Sequence, residues 1–211
     1  MSNLRWAFFA LFMGISVVDC VCAERNRSRI LKPFIMPVLA VFYFLSASSP
    51  SVWIIIALLL DAVGDYFLIG NDARKTVIGM VFFGLGHCAY IAEFVHHIQP
   101  SSGGLILLAR LFYIGMVLVQ PYLLRKEKKL LRTAGSIYGI FLAAMSYMAC
   151  RLACSLNSYY ACMVWAGSLI FILSDSLISN RLWKYGKETG IMETYLLGQA
   201  LIIFGLLGMG I

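Results

Sequence analysis

The sequence predicts an all-α, polytopic membrane helix bundle: eight transmembrane helices in a single domain, residues 1–211, with both termini non-cytoplasmic. Three observations carry this. First, 61% of the 211 residues are hydrophobic and 13% are charged, against roughly 45–50% and about 25% in an average soluble domain. A globule of this size needs a large polar exterior, and lipid is the exterior that such a composition permits. Second, the apolar residues fall into eight runs, each close to the ~20 residues that a spanning helix needs. Third, Lys and Arg gather in every second break between those runs. A chain so divided has no room for a sizeable extramembrane domain. A soluble enzyme is excluded, as is a nucleic-acid reader, in spite of the net charge of +7.

The runs are helices because an open sheet would leave backbone groups unpaired in lipid. The first, Leu4–Ala23, ends in Val21-Cys22-Ala23, which has the small-x-small pattern of a signal-peptide cleavage site. Asp19 inside the run and a basic cluster directly after it fit a spanning helix stopped at a cytoplasmic loop instead. The second run, Pro33–Ser49, opens on Lys32-Pro33. The third, Ser51–Gly70, carries Asp61 and Asp65 one turn apart and on one face. The fourth, Thr76–Ile98, holds His87 near its middle with Tyr90 above it. Glu93, His96 and His97 fall at its outer end, where water is expected to reach them. The fifth and sixth, Leu105–Leu124 and Leu131–Leu152, offer little polar chemistry beyond Tyr138. The seventh, Tyr159–Ser179, places Asp175 about one turn from its cytoplasmic end, and the eighth, Met192–Ile211, places Tyr195 and Gln199 one to two turns in from the same side.

The breaks differ in kind. Arg25, Arg27, Arg29 and Lys32 mark the first, Arg74 and Lys75 the third, Arg125, Lys126, Lys128, Lys129 and Arg132 the fifth, and Arg181, Lys184 and Lys187 the seventh. The alternate breaks, 46–50, 98–104 and 153–158, hold no Lys or Arg. The positive-inside rule therefore puts the four basic loops in the cytoplasm, with attraction to anionic inner-leaflet lipid as a secondary effect. The same pattern fits a bacterial inner membrane or an endoplasmic reticulum membrane. The six cysteines, Cys20, Cys22, Cys88, Cys150, Cys154 and Cys162, show neither a Cys-x-x-Cys pair nor zinc spacing, and are expected to be small, buried, unreactive thiols. Gly64, Gly79, Gly84 and Gly86 are expected to be close-packing positions between helices.

Ionisable residues inside a membrane are expensive and are functional candidates by default. Asp65 and Asp175 head that group, with Asp61 and Asp19 as accessory acids. The bland alternative is that these carboxyls only bond Ser, Tyr or Gln across helices. Asp61 is either a neighbour in the same cavity or an interhelical tether. His87 suits an orienting hydrogen-bond role better than metal ligation.

Read in order, Lys32-Pro33, Gly64-Asp65, Gly79 with Phe82, Gly86-His87 and Tyr90, Gly167 with Phe171, Ser174-Asp175-Ser176, and Tyr195 with Gln199-Ala200-Leu201-Ile202 form a recognisable series. On these residues the sequence resembles the YhhN-like lysoplasmalogenase family, eight-helix membrane proteins that hydrolyse the vinyl ether bond of lysoplasmalogens. The resemblance places the family's two essential aspartates on Asp65 and Asp175. Asp61 stands where a less polar residue is expected.

The residues suit that reaction on chemical grounds. Protonating the outer alkene carbon of a vinyl ether leaves an oxocarbenium ion, and water adds to give a hemiacetal that collapses to an aldehyde and a free glycerol hydroxyl. A carboxylic acid to give the proton and a carboxylate to steady the cation and activate water are both needed, as in glycosidases. Lys32, helped by Arg181, is a candidate phosphate partner, or else an ordinary interfacial anchor. His87, Tyr90, Tyr138, Ser174, Ser176, Tyr195 and Gln199 are candidate substrate-binding and orienting groups. The expected partners are a lysophospholipid substrate and membrane lipid, without nucleic acid, and a homo-oligomer is compatible with the bundle. No metal or other cofactor is expected. Two alternatives remain: a non-enzymatic lipid or small-molecule carrier using the acids as a proton or cation path, and a metal-dependent lipid amidase or esterase built on His87.

Overall fold

The computed structural model describes residues 2–25, 29–69, 72–100, 103–179 and 189–211. Among them are eight α-helices and no strand: α1 (Ser2–Glu24), α2 (Lys32–Ser46), α3 (Val52–Phe67), α4 (Ala73–His97), α5 (Gly104–Leu123), α6 (Lys129–Leu156), α7 (Tyr159–Ser179) and α8 (Thr189–Gly208). A single 3-10 turn, Leu124–Lys126, follows Pro121 at the end of α5. Six helices, all but α2 and α3, are long and apolar enough to cross a membrane. The other two have 15 and 16 residues, about 22–24 Å at a rise of ~1.5 Å per residue. Pro50 and the extended residues beside it end α2 before the expected Ser49.

Local chemistry sets several ends. Pro33 sits in the first turn of α2, where a missing N–H is harmless. Ser51 caps α3 by accepting from the Trp53 N–H at 3.2 Å, and Asp72 caps α4 by accepting from the Arg74 N–H at 2.8 Å. The α4 cap starts that helix three residues before the expected Thr76. Asn157 closes α6 in the left-handed conformation at φ 46°, a role that Asn fills more readily than other non-glycine residues.

Helices α1, α2, α3, α4, α6, α7 and α8 pack in succession, and α8 returns to α1 to close the ring. Helix α5 lies outside it, against α6. A polar chain fastens this outer layer: Trp165 Nε1 donates to Tyr113 Oη at 3.0 Å, Tyr113 meets Ser146 at 2.7 Å, and Ser146 meets Ser168 at 2.8 Å. In the ring, buried positions follow the helical stripe, as in Ile54, Ala57, Leu58, Asp61 and Asp65 on α3. Gly64 lies under the Phe83 ring, Gly79 beside the Gly64 carbonyl and Gly86 beside Asp61. Gly84 has ordinary contact with Phe141 only, so it is not the close-packing position that the sequence suggested. All six cysteines are free, but only Cys150 is buried as expected: Cys20, Cys22 and Cys154 are half-buried, and Cys88 and Cys162 are exposed.

The outer end corrects a second expectation. Glu93 is buried rather than wetted. Its carboxylate accepts a short hydrogen bond from the Ser51 hydroxyl and pairs with His97 Nε2 at 2.9 Å. The Ser51 N–H in turn donates to Tyr43 Oη at 3.0 Å. This cluster clamps α2, α3 and α4 together opposite the Asp65 end. Glu93→Leu strands the Ser51 hydroxyl, and is expected to lower stability by about 1–2 kcal/mol, the upper range for polar contacts between membrane helices. Glu93→Gln, which keeps an acceptor, is expected to lose less. Thermal unfolding in detergent measures both.

Candidate active site

Six helices of the ring bring their polar side chains to one cluster. Asp65, on the buried stripe of α3, accepts through both oxygens. Lys32 Nζ lies 3.1 Å from Oδ1, and the Tyr195 hydroxyl donates to Oδ2 at 3.0 Å. Lys32 can reach it because α2 begins with Lys32 itself, and its side chain is only 10% exposed. A buried ion pair is held in place because separating it would leave one charge uncompensated.

One turn earlier on α3, the fully buried Asp61 accepts from Gln199 Nε2 at 2.7 Å. Gln199 Oε1 accepts from the Tyr90 hydroxyl at 2.8 Å. The second Asp61 oxygen has no hydrogen-bond partner and lies over Gly86, where a Cβ would stand 2.6 Å from it. Both readings of Asp61 therefore apply: it tethers α3 to α8, and through Gln199 to α4, within the same cluster.

Asp175, half-buried on α7, accepts a short hydrogen bond from the Tyr138 hydroxyl of α6. Because that hydroxyl donates to Asp175, it accepts from His87 Nε2 at 3.1 Å. His87 thus carries a proton on Nε2, and its Nδ1 has no partner. The Phe171 ring meets His87 edge-on at 5.2 Å and Tyr195 at 5.3 Å, standing between the Asp175 and Asp65 arms. The three carboxyls interact electrostatically: Asp61 with Asp65 and Asp175, and Asp175 with Asp65 and Lys32.

The structure therefore brings together Lys32, Asp61, Asp65, His87, Tyr90, Tyr138, Asp175, Tyr195 and Gln199. Ser174 is spent elsewhere, donating to the Ile191 carbonyl at 2.8 Å, which ties α7 to the start of α8. Ser176 is half-buried beside Asp175. Asp19 is fully buried in an ion pair with Arg29 at 2.6 Å, so its charge is already matched at the end of α1. Arg181, and with it the basic residues Arg27, Lys184 and Lys187, lies outside the described residues. Sequence reasoning set Glu93 aside and missed its clamp; a Ser opening one helix and a Glu closing the next was the available signal. Among the described residues no group of three or more His, Cys, Asp or Glu is arranged to hold a metal ion.

Tyr138 is the hinge of the Asp175 arm. Tyr138→Phe removes the donor to Asp175 and the acceptor for His87 together. If Asp175 takes part in turnover, kcat is expected to fall by about 10²-fold, the scale of a misplaced reacting group, with KM little changed. Steady-state kinetics separates the two.

The chain is 28% identical over 168 residues to "Lysoplasmalogenase TMEM86A" of Homo sapiens, a match covering 75% of this chain and 67% of that protein. It is also 28% identical over 172 residues to "Lysoplasmalogenase TMEM86A" of Bos taurus, with the same shares covered. No solved structure matches. With several apolar spans and these relatives, it is a multi-pass membrane protein. The model of the YhhN family matches residues 28–206, a stretch that contains every residue of the carboxyl cluster, and the chain belongs to that family.

Proposed function

We propose that this protein is a membrane-embedded hydrolase that cleaves the vinyl ether bond of lysoplasmalogens, releasing a fatty aldehyde and the glycerophospho head group. The observation that carries the reading is a pair of intramembrane aspartates, Asp65 and Asp175, on different helices, each held by a tyrosine hydroxyl and, among the described residues, only one of them paired with a cation. The family and the relatives' names support the same substrate class.

The surroundings of the two carboxyls support a division of labour. The Lys32 ammonium favours Asp65 as the carboxylate. Asp175 has no cation in contact among the described residues, and it is the more reachable carboxyl. Asp175 then gives its proton to the outer alkene carbon. The positive charge that develops on the ether-bearing carbon is met by the Asp65 carboxylate, which also takes a proton from the attacking water. As the hemiacetal collapses, Asp175 takes back a proton from its hydroxyl and Asp65 gives its proton to the glycerol oxygen, so the carbon–oxygen bond breaks, the aldehyde forms, the glycerol leaves as an alcohol and both carboxyls are restored. Such a mechanism needs one neutral and one ionised carboxyl, and the unlike surroundings of Asp65 and Asp175 support that division.

All eight helices cross the membrane in this reading, with α2 and α3 lengthened by their flanking residues. The basic loops face the cytoplasm and both termini the opposite side. Lys32 then sits near the inner-leaflet head groups, where it can also meet substrate phosphate. The purified full chain, given lysoplasmalogen in detergent, is expected to release fatty aldehyde and to leave the alkyl-ether analogue intact. Absence of aldehyde above background overturns the reading, and acid-dependent flux across proteoliposomes without turnover favours a carrier.

A further inference from the structure

Beside the carboxyl cluster, α1 and α8 enclose a groove of about 430 Å³, within the ~300–1,000 Å³ of small-molecule sites. Met13, Val17 and Leu197 form its exposed, lipid-facing rim, while Phe12 and Leu196 form its buried floor. Two features break this apolar lining. Glu24 and Glu193 stand at one end, and neither pairs with a cation among the described residues. Nearby, Asp19 and Arg29 cancel each other. All four groups act on Cys20 in the groove wall, so that end is net acidic. The second feature is Ser16, which lines the groove, is only 6% exposed and has a hydroxyl with no hydrogen-bond partner. A buried orphan hydroxyl is costly unless something supplies its partner.

We propose that this groove binds a single-chain lysolipid whose head group carries a cationic nitrogen, with the ammonium between Glu24 and Glu193, the glycerol hydroxyl on Ser16, and the chain along Phe12, Leu196 and Ala200. Ser16 is eight residues, about two helical turns or ~12 Å along the axis, from Glu24, and a helical side chain leans toward its own N-terminus, so the Glu24 carboxylate closes part of that gap toward the span of a lipid head group. The apolar floor continues from there into the membrane, in the direction a lipid tail takes. Leu196 adjoins Tyr195, which holds Asp65; the groove and the carboxyl cluster thus share a wall of α8. An acidic lysolipid without nitrogen would meet two carboxylates, which is selection by repulsion. The identity of the lipid as substrate rests on the hydrolase reading; the site itself rests on the groove.

The test uses the full chain in phosphatidylglycerol vesicles and a non-cleavable alkyl-ether lysolipid with an ethanolamine head group and a mid-chain diazirine, its photolabel mapped by mass spectrometry. Label is expected on α1 and α8 peptides. The unlabelled ethanolamine lysolipid is expected to compete about tenfold better than its phosphate-monoester counterpart, equivalent to ~1.4 kcal/mol. The isosteric pair E24Q/E193Q should abolish that preference, and A200F should remove the label while thermal unfolding in detergent stays unchanged. Label spread equally over α5, equal competition by the two lysolipids in the unsubstituted protein, or a crosslink between two copies across the groove overturns the proposal. Because the probe is not cleaved, the two readings fail separately. A labelled groove without aldehyde release from the vinyl ether overturns the hydrolase alone, and aldehyde release without groove labelling overturns the groove alone.

Discussion

Asp65→Asn and Asp175→Asn are each expected to lower aldehyde release from lysoplasmalogen by about 10²–10⁴-fold, the range that a positioned acid or base contributes. The two losses differ in kind. Asn at position 175 still accepts from Tyr138, so the α6–α7 contact and the fold survive while the proton donor is gone. Asn at position 65 still accepts from Tyr195 but no longer neutralises Lys32, whose ammonium is left buried beside it. Breaking one partner of a buried ion pair costs about 3–5 kcal/mol, so Asp65→Asn is expected to unfold at lower temperature as well. The double variant K32M/D65N removes both charges and should recover much of the stability and none of the activity, which separates chemistry from folding. Asp61→Asn is the control: an amide oxygen still accepts from Gln199, and activity is expected to stay within about tenfold of the starting protein, on the reading that Asp61 positions groups rather than reacts. Aldehyde release and thermal unfolding on the same purified samples decide all four. Full activity in both Asp65→Asn and Asp175→Asn sinks the assignment.

Much of this was legible in the sequence because lipid punishes ambiguity. Asp65 and Asp175 stood out as charges in apolar runs, and the eight runs correspond one to one with the eight helices. Tyr90, Tyr138, Tyr195 and Gln199 were marked as nearby polar groups, but which carboxyl each would hold was not, since pairing depends on helix rotation rather than on depth. Asp61 shows this best. Its place one turn from Asp65 fixed its face, yet only packing brings Gln199 of α8 to one of its oxygens and leaves the other unpartnered. Asp19 shows the same limit: depth alone marked it as an accessory acid, and nothing in its own helix announces Arg29, ten residues on, as the partner of its charge. Glu93 was set aside because the end of a helix reads as wet, and only the approach of Ser51 reveals that it is covered. Position along a membrane helix is encoded locally; partnership is not.

The same distinction predicts where the fold is least forgiving. Helices α7 and α8 touch through their backbones. A Cβ at Gly167 would stand 2.7 Å from the Gly198 carbonyl oxygen and 2.9 Å from the Ile202 N–H, and a Cβ at Gly198 would stand 2.9 Å from the Gly167 carbonyl. About two turns along α8 from Gly198, Gly205 repeats the contact at 2.7 Å from the Tyr160 carbonyl. This is the small-residue packing that lets membrane helices approach closely without help from the hydrophobic effect. The atoms in the way belong to main chain, so no rotamer change relieves the clash and the helices must part. Gly167→Ala is expected to cost about 1–3 kcal/mol as overpacking, and Gly198→Val more. The chemistry should suffer with the fold, because Gly198 precedes Gln199, and Asp175 lies about two turns beyond Gly167 on the other helix. A shift near 1 Å between reacting groups is worth about 10²-fold in rate, so Gly167→Ala is expected to lose activity even at temperatures where it stays folded. Gly115→Ala on α5 has nothing within 4 Å of the new Cβ and should instead gain about 0.5–1 kcal/mol from helix propensity. Opposite shifts in unfolding temperature for two Gly→Ala changes in one protein would locate the α7–α8 seam; equal shifts would refute it.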